Sequence, residues 1–346
     1  MRILYAIQGT GNGHLSRAKD VIPALKSVAE VDILVSGIQA DIQLPFEIKY
    51  KCYGMSFIFG KSGGVDLWKT WKSFNFRMFV KEISQCPISN YDLVINDFEP
   101  ISAWASYFKN VKCISLSHQC ALLSPNVPKP DSSSWLGWLI LRKYAPTSEK
   151  IGFHFKKYDS NIYTPVIRKE IRSLLVTNLG HYTVYLPAYS DERIINVLSK
   201  IDHVYWEVFS KHTTEAYQVK NVLIMPINGE SFAKSMASAE GVFCGAGFET
   251  PAEALFLGKK LLVLPMKSQF EQHINAAGLK DMGVPVLKSL KKKHALLIQN
   301  WVDNFKPIKV NFPDQTQFIV EQIVKKYQPV LKISPNQSFS SNTISY

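Results

Sequence analysis

Cysteine is scarce in this chain, and its spacing argues against the usual cysteine chemistries. The five cysteines among 346 residues are widely separated and form neither a CxxC pair nor a Cys/His spacing typical of zinc. Most lie inside apolar stretches, as reduced thiols do in cytosolic proteins. We therefore expect no disulfide framework, no zinc site and a cytoplasmic location.

Long apolar runs are also lacking. No segment approaches the roughly 18 apolar residues that a membrane-spanning helix needs. The apolar start RILYAI is soon followed by Gly, Asn, His and Arg, where a signal peptide would continue its apolar core. These features predict a soluble protein, and they leave open a peripheral contact with the inner face of a membrane.

Acidic residues are fewer than basic ones. The chain has 28 Asp and Glu against 40 Lys and Arg, which gives a net charge of +12. This balance favours anionic partners such as phosphates or acidic lipids. Nucleic acid is not expected as a partner, because no zinc finger or RNA-recognition signature is present and the lysine-rich patch at 287–294 is short.

Short β-branched runs alternate with helical segments through both halves of the chain, which predicts α/β domains with parallel sheets. In the first half we predict strands at 2–8, 31–37, 48–54, 92–97 and 111–118. In the second half we predict strands at 180–189, 203–210, 222–227, 241–247 and 260–266. The interruption at Pro165 predicts Rossmann-like domains at 1–164 and 165–330, and the polar, serine-rich end at 331–346 predicts a disordered tail.

The stretch QGTGNGH, residues 8–14, joins the first predicted strand to an amphipathic helix. Glycines let a ligand approach the backbone, and the helix that follows offers free N–H groups to an anion. The dinucleotide pattern GxGxxG fails, because the position three after Gly11 is His14. The P-loop pattern fails as well, since GK[ST] is missing. Hydride transfer and nucleotide hydrolysis are therefore not expected.

A second glycine cluster lies in the segment 241–279. A predicted strand ends near Gly247, Thr250 is expected to cap the next helix with Glu253 in its first turn, and Gly258 is expected to end that helix. The arrangement offers a helix N-terminus to a phosphate and a carboxylate to a sugar diol. A Glu-Gln pair follows the next predicted strand.

At this point the sequence resembles the nucleotide-sugar glycosyltransferases of the GT-B fold. The intervals from Gly247 to Thr250 to Glu253 match their signature, as does the pair Glu271-Gln272 placed before Asn275-Ala276. The similarity is greatest to the UDP-sugar branch, which includes the lipid II N-acetylglucosaminyltransferase and the UDP-glycosyltransferases. The loop QGTGNGH and the segment SLSHQC (115–120) also resemble segments of that branch. The resemblance implies two Rossmann-like domains that face each other across a cleft.

The resemblance also implies residue roles. His14 would be the base that deprotonates an acceptor hydroxyl, since histidine titrates near neutral pH, and Asp97 would orient it or replace it. Glu253 would hold the ribose, and Glu271 and Gln272 the donor sugar. The full donor site would comprise Gly11, Gly13, Gly245, Gly247, Phe248, Glu249, Thr250, Glu253, Glu271 and Gln272, with His118 and Gln119 on the acceptor side. Glu249 suits a diphosphate only if its carboxylate points away from it.

The implied reaction moves a sugar from a nucleotide-diphosphate donor, UDP-linked in the branch resembled, to a hydroxyl. The acceptor would bind the N-terminal domain, and a lipid or a cell-envelope glycan is one candidate. The branch inverts the anomeric centre and needs no metal, because helix N–H groups stabilise the leaving diphosphate. No cofactor is expected, since the nucleotide-sugar is a substrate.

Several alternatives stay open. Segment 132–144, with two tryptophans followed by Arg142 and Lys143, suits either an interfacial helix or a core helix. The aromatic helix predicted at 65–83 allows a core role or an acceptor groove. A UDP-N-acetylglucosamine 2-epimerase would use the same architecture, and a non-catalytic nucleotide-binding module is a further possibility.

Overall fold

The computed structural model describes residues 1–37, 44–55, 75–131 and 134–328, and these form two domains, each built on one β-sheet. The tail at 331–346 and most of the helix predicted at 65–83, including Trp68 and Trp71, lie outside the described residues.

The N-terminal sheet has seven strands in the order β3-β2-β1-β4-β5-β6-β7, and all of its pairings are parallel. Its strands are β1 (Arg2–Gln8), β2 (Glu30–Ser36), β3 (Tyr50–Cys52), β4 (Leu93–Asp97), β5 (Cys113–Ser117), β6 (Glu149–Phe153) and β7 (Ile162–Tyr163). The helices among them are α1 (Asn12–Lys26), α2 (Phe76–Gln85), α3 (Pro100–Lys109), α4 (His118–Ala121) and α5 (Trp135–Lys143).

The second sheet has six strands in the order β10-β11-β9-β8-β12-β13, parallel except for the antiparallel edge pair β10–β11. Its strands are β8 (His181–Tyr185), β9 (Tyr205–Ser210), β10 (Tyr217–Val219), β11 (Val222–Pro226), β12 (Gly241–Gly245) and β13 (Lys260–Leu264). The remaining helices are α6 (Lys169–Arg172), α7 (Asp191–Leu198), α8 (Gly229–Ser238), α9 (Glu249–Phe256), α10 (Phe270–Asp281), α11 (Ala295–Asn304) and α12 (Thr316–Tyr327).

The strand β1, in the interior of the N-terminal sheet, is covered by protein on both faces. Residues 3–7 are completely buried, so both sets of alternating side chains face protein. On one side α1 packs Leu15, Val21, Ile22 and Leu25 against the sheet, at the helical intervals expected from the sequence. The predicted α/β fold with two Rossmann-like sheets is therefore confirmed.

The helix α12 follows the second domain in the chain but packs against the first. This last described helix returns to the N-terminal domain, where Gln317 donates to the Ser27 hydroxyl at 3.1 Å and Lys326 pairs with Glu149 at 2.5 Å. The final strand of the first sheet ends at Tyr163 and the second sheet begins at His181. The boundary at 164/165 stays a prediction.

The carboxyl ends of the strands bring the predicted motifs together. The loop after β1 leads into α1, β4 ends at Asp97, β5 leads directly into α4, and β12 leads into α9. In open parallel sheets this edge is where ligands bind. Three strands were missing from the prediction, namely β6, β7 and β10. Of these, β6 carries a half-buried Glu149 and an exposed Lys150, so it lacks the continuous apolar run that identified the other strands.

Candidate functional site

His14 and Asp97 form a hydrogen-bonded pair at the carboxyl edge of the first sheet. His14 is the third residue of α1, its Nδ1 lies 2.9 Å from Oδ1 of Asp97, and its side chain is 12% exposed. Burial alone would raise the pKa of Asp97, but Arg17 and His14 outweigh it and hold that pKa below its usual value. An ionised carboxylate only accepts hydrogen bonds, so Nδ1 is the donor in this pair and Nε2 is the ring nitrogen left to act as a base. Nη2 of Arg17 lies 3.3 Å from the same Nδ1.

Arg17 fixes this pair. It lies one helical turn after His14, and its Nη2 donates to both carboxylate oxygens of Asp97, at 2.8 and 2.9 Å. The arginine side chain is only 2% exposed, so the ion pair is almost fully enclosed. Sequence reasoning missed Arg17. The interval of three residues from His14 places both side chains on the same face of α1, and this was the available signal.

Arg17 also reaches the second domain. Its Nη1 donates to Oε1 of Glu249 at 2.5 Å, and Glu249 is the first residue of α9. Burial raises the pKa of Glu249 to about 7, Arg17 opposes this, and the nearby Glu253 and Asp97 add to it. A Cβ on Gly13 would lie 3.2 Å from Cγ of Glu249, so a glycine at this position allows the close approach. The Glu249 carboxylate thus points toward α1 and its arginine.

The start of α9 differs from the prediction in two respects. The N-cap residue is Phe248 rather than Thr250, and Glu253 lies in the second turn, while Gly258 follows the helix with φ of 67° as expected. Within the described residues no side chain caps this helix start. Its first N–H groups therefore remain available to an anion, and Gly247 leaves open space beside them.

Glu253 is held by an arginine that the sequence did not point to. Arg168 donates to both of its oxygens, from Nε at 2.5 Å and from Nη2 at 2.9 Å. The carboxylate is buried; burial raises its pKa, and Arg168 acts in the opposite direction. A ribose diol at Glu253 would have to share the carboxylate with Arg168 or displace it. Nothing in the local sequence around Arg168 signals this contact, which spans 85 residues.

The Glu-Gln pair at the start of α10 divides into two environments. Glu271 accepts hydrogen bonds from Nε2 of Gln119 at 3.2 and 3.3 Å, so it faces the N-terminal domain. Gln272 is buried, and its side chain supports the preceding loop: Oε1 accepts the Met266 N–H at 3.0 Å, close to Gly245. Glu271 therefore lies between the two domains, whereas the Gln272 side chain makes its hydrogen bonds within the C-terminal domain.

His118 and Gln119 of α4 lie where the domains meet. The His118 ring stacks on Phe248 with centroids 3.7 Å apart, its Nδ1 donates to the Phe153 carbonyl, and its Nε2 lies 2.7 Å from the amide of Asn275. Burial lowers the pKa of His118, and the ring is packed between the two domains.

Gln119 is the neighbour of the candidate base. Its Nε2 lies 3.4 Å from Nε2 of His14, which suits a donor facing an unprotonated ring nitrogen. Its Oε1 is buried and has no hydrogen-bond partner among the described residues. A buried amide oxygen without a donor costs free energy, and a ligand hydroxyl would satisfy it.

The described part of the segment 132–144 is packed on one side and exposed on the other, so its role as an interfacial or a core helix stays open. In α5, Leu141 is buried and Trp138 packs edge-on against Phe270, while Trp135 is 77% exposed and Leu139 46% exposed. Of the helix predicted at 65–83, the described part buries Phe79 and leaves Met78 partly exposed. No helix in the described ranges is long and apolar enough to cross a membrane.

Two Rossmann-like sheets, the first parallel and the second parallel except for its edge pair, thus meet at a histidine–carboxylate pair and a helix start. The chain belongs to glycosyl transferase family 1, whose family model matches residues 1–305. None of the curated proteins matches the sequence.

Solved structures agree on the fold. MurG from Acinetobacter baumannii aligns with a TM-score of 0.55 at 12% identity, over 94% of this chain and 99% of that one. A UDP-glucosyltransferase from Polygonum tinctorium gives 0.57 at 11% identity, over 95% and 99%. A UDP-N-acetylglucosamine 2-epimerase gives 0.54 at 11% identity, over 94% and 96%. At such identities the likeness concerns the fold alone.

Proposed function

We propose that this glycosyltransferase moves a sugar from a UDP-linked donor to an acceptor hydroxyl, with His14 as the general base. The observation that carries the proposal is the pairing of His14 Nδ1 with the ionised, buried Asp97, which leaves Nε2 directed at Gln119 and the opposite domain. A base of this kind takes the hydroxyl proton as the oxygen attacks the anomeric carbon, and Asp97 stabilises the imidazolium that forms.

The donor would lie against the start of α9. The uncapped N–H groups after Gly247 would receive the diphosphate and stabilise its charge as it leaves, without a metal. Glu249 supports this placement, since its carboxylate turns toward Arg17. Glu253 would bind the ribose hydroxyls, and Arg168, released from it, would be a cation close to the diphosphate.

The acceptor would approach from the N-terminal domain. The unpartnered Oε1 of Gln119 would accept a hydrogen bond from a sugar or acceptor hydroxyl next to His14. The exposed Trp135 and Leu139 of α5, followed by Arg142 and Lys143, support a lipid-linked acceptor and contact with the anionic inner face of a membrane. Attack on the face opposite the leaving diphosphate would invert the anomeric centre.

The proposal is tested first through the donor. Melting temperatures would be measured with UDP, GDP, dTDP, ADP and NAD, for the wild type, Glu253→Gln and Glu170→Gln. Glu170 is the matched control, because it contacts the same Arg168 at 3.5 Å but lies on the surface. A nucleotide at 100 times its dissociation constant stabilises a protein by about 2.7 kcal/mol.

We expect UDP to raise the melting temperature of the wild type and of Glu170→Gln, and to have much less effect on Glu253→Gln. If no nucleotide diphosphate shifts the wild type, the donor assignment fails. If UDP shifts Glu253→Gln as much as the wild type, UDP binds but Glu253 does not hold its ribose.

A 2-epimerase is the second candidate. Three carboxylates lie close to His14, with Asp97 on its Nδ1, Glu249 on Arg17 and Glu271 on Gln119, and carboxylates of this kind could move protons on a sugar ring. Incubation with UDP-N-acetylglucosamine alone in D2O separates the two. An epimerase incorporates deuterium at C2 of the sugar, whereas a transferase without acceptor releases UDP slowly and leaves C2 unlabelled. A non-catalytic module would bind UDP and do neither.

A further inference from the structure

A cavity in the N-terminal domain lies beside the candidate base and belongs to none of the contacts described above. Its volume is about 350 Å³, and it is enclosed by the end of β4, the helices α3, α4 and α5, and the loop before β6. Most of its wall is apolar, with Phe98, Leu123, Leu141 and Ala145 among the lining side chains. At roughly 30 Å³ for a water-sized group, the space suits about a dozen non-hydrogen atoms.

Two cations line this apolar space. Arg142 and Lys150 both line the cavity and are exposed residues. Neither forms an ion pair with a carboxylate of the described residues, and none of the lining residues is acidic. The guanidinium of Arg142 lies 5.6 Å from the Trp138 ring, which helps to hold it in place. An apolar space flanked by two cations that pair with no carboxylate of the described residues favours a ligand with an apolar body and an anionic group.

Phe98 connects the cavity to His14. Its ring lies nearly parallel to the His14 ring with centroids 6.5 Å apart, and it stacks on Tyr144 at 4.8 Å. Its φ of 56° is in the left-handed region, where an aromatic residue is strained. Cys120, also in the lining, directly follows Gln119. The cavity therefore begins one aromatic ring away from the candidate base, on the acceptor side.

We propose that this cavity binds the part of the acceptor that joins an apolar chain or ring to a phosphate-type anion, with Arg142 and Lys150 receiving the anion. That the ligand is the acceptor rests on the proposed glycosyl transfer, whereas the binding site itself does not. The same chemistry is found in the phosphate end of a lipid and in a soluble alkyl or aryl phosphate.

The probe is octyl phosphate, whose dissociation constant would be measured by titration calorimetry. It would be compared with the dissociation constants of 1-octanol, which is its apolar part, and inorganic phosphate, which is its anionic part. The test variant is Arg142→Gln/Lys150→Gln, and the control is Lys81→Gln, which removes an exposed charge from α2 of the same domain outside the cavity. We expect octyl phosphate to bind more tightly than either half. The double variant should weaken it at least about tenfold, as expected for the loss of charge-assisted hydrogen bonds. Lys81→Gln should bind as the wild type does.

A second variant fills the space. Ala145→Trp should abolish octyl phosphate binding while the response of the melting temperature to UDP is retained, which also shows that the variant is folded. Equal binding by the double variant, by Ala145→Trp, or by inorganic phosphate alone would overturn the proposal. If UDP fails to bind the wild type but octyl phosphate binds as described, the proposed function fails and the cavity assignment stands.

A competition experiment with lipid vesicles distinguishes a lipid phosphate from a soluble phosphate ester as the natural ligand. Phosphatidylglycerol vesicles that compete with octyl phosphate in the wild type, but not in Ala145→Trp, identify a lipid phosphate. Vesicles without effect identify a soluble phosphate ester. The cavity assignment holds in both cases.

Discussion

Arg17 of the N-terminal domain donates to Glu249, the first residue of α9 in the C-terminal domain, at 2.5 Å. The same guanidinium holds both oxygens of Asp97. One buried cation therefore links the carboxylate that orients His14 to the helix start proposed to bind the donor. Arg17 would therefore act as a positioning residue for the proposed reaction, because it holds the carboxylate that pairs with His14.

The first prediction concerns Arg17→Lys. An ammonium group is a compact charge that cannot bridge two carboxylates in the planar geometry of a guanidinium. We expect kcat for UDP release to fall about tenfold or more while KM for the donor changes little, because the donor contacts remain. Arg193→Lys is the control, since Arg193 also makes two hydrogen bonds, to the Leu290 carbonyl, but lies away from His14. A rise in KM with kcat unchanged would instead place Arg17 in donor binding.

The second prediction concerns Asp97→Asn. An amide at this position no longer stabilises the imidazolium, and it can favour the wrong His14 tautomer. We expect kcat to fall by roughly 10² to 10⁴, the range attributed to general base catalysis, and His14→Ala to fall to a similar level. The control is Asp92→Asn, exposed before the start of the same strand, where it accepts the Arg2 N–H. A double variant no slower than either single one would show that the two residues act as a unit.

The third prediction follows from the pKa of Glu249, which burial raises to about 7. The native state then binds a proton more tightly than the unfolded chain, so this group stabilises the fold at low pH and the contribution is lost as pH rises toward 7. Glu249→Gln removes that dependence. We expect the melting temperature of the wild type, taken relative to Glu249→Gln, to fall between pH 5 and pH 7.5.

The exposed Glu192→Gln in α7 serves as the control for that experiment. It should track the wild type at both pH values. A wild type that gains stability relative to Glu249→Gln over this range would mean that Arg17 keeps Glu249 ionised well below neutral pH.

The fourth prediction concerns metals. Because the N–H groups at the start of α9 are proposed to stabilise the leaving diphosphate, UDP release should change less than twofold after treatment with EDTA. Loss of activity that Mg²⁺ or Mn²⁺ restores would contradict this and would require carboxylates to act as ligands instead.

Some of the site was predictable because its signals are local. The glycine loop, the interval to His14, and the helix that packs Leu15 and Val21 all lie within 25 residues, where periodicity and turn chemistry are informative. Arg17 and Arg168 were missed because their importance comes from partners 80 and 85 residues away. Their side chains look like ordinary surface cations until the fold brings a buried carboxylate to them.

The start of α9 was predicted two residues too late for a similar reason. Thr250 is the better side-chain cap by intrinsic preference. The structure instead begins the helix at Glu249, whose carboxylate pairs with Arg17, and places Phe248 against the His118 ring. Tertiary contacts from the other domain outweighed the local preference, at the residues proposed to bind the donor.

The last prediction concerns the exposed side of α5. Trp135 and Leu139 lie one turn apart and are followed by Arg142 and Lys143, so the helix offers apolar side chains and positive charge to one surface. Trp135→Ala/Leu139→Ala should reduce flotation with phosphatidylglycerol vesicles several-fold. Leu296→Ala, an exposed leucine on α11 of the other domain, should bind as the wild type does.

High salt should weaken the vesicle binding of both the wild type and Leu296→Ala, because the basic residues act through a screened attraction. UDP should shift the melting temperature of every variant equally, since none of these side chains lies at α9. Flotation that is unchanged by the double substitution would leave α5 as a helix packed through Leu141 and Trp138 alone. The acceptor would then have to be sought among soluble molecules.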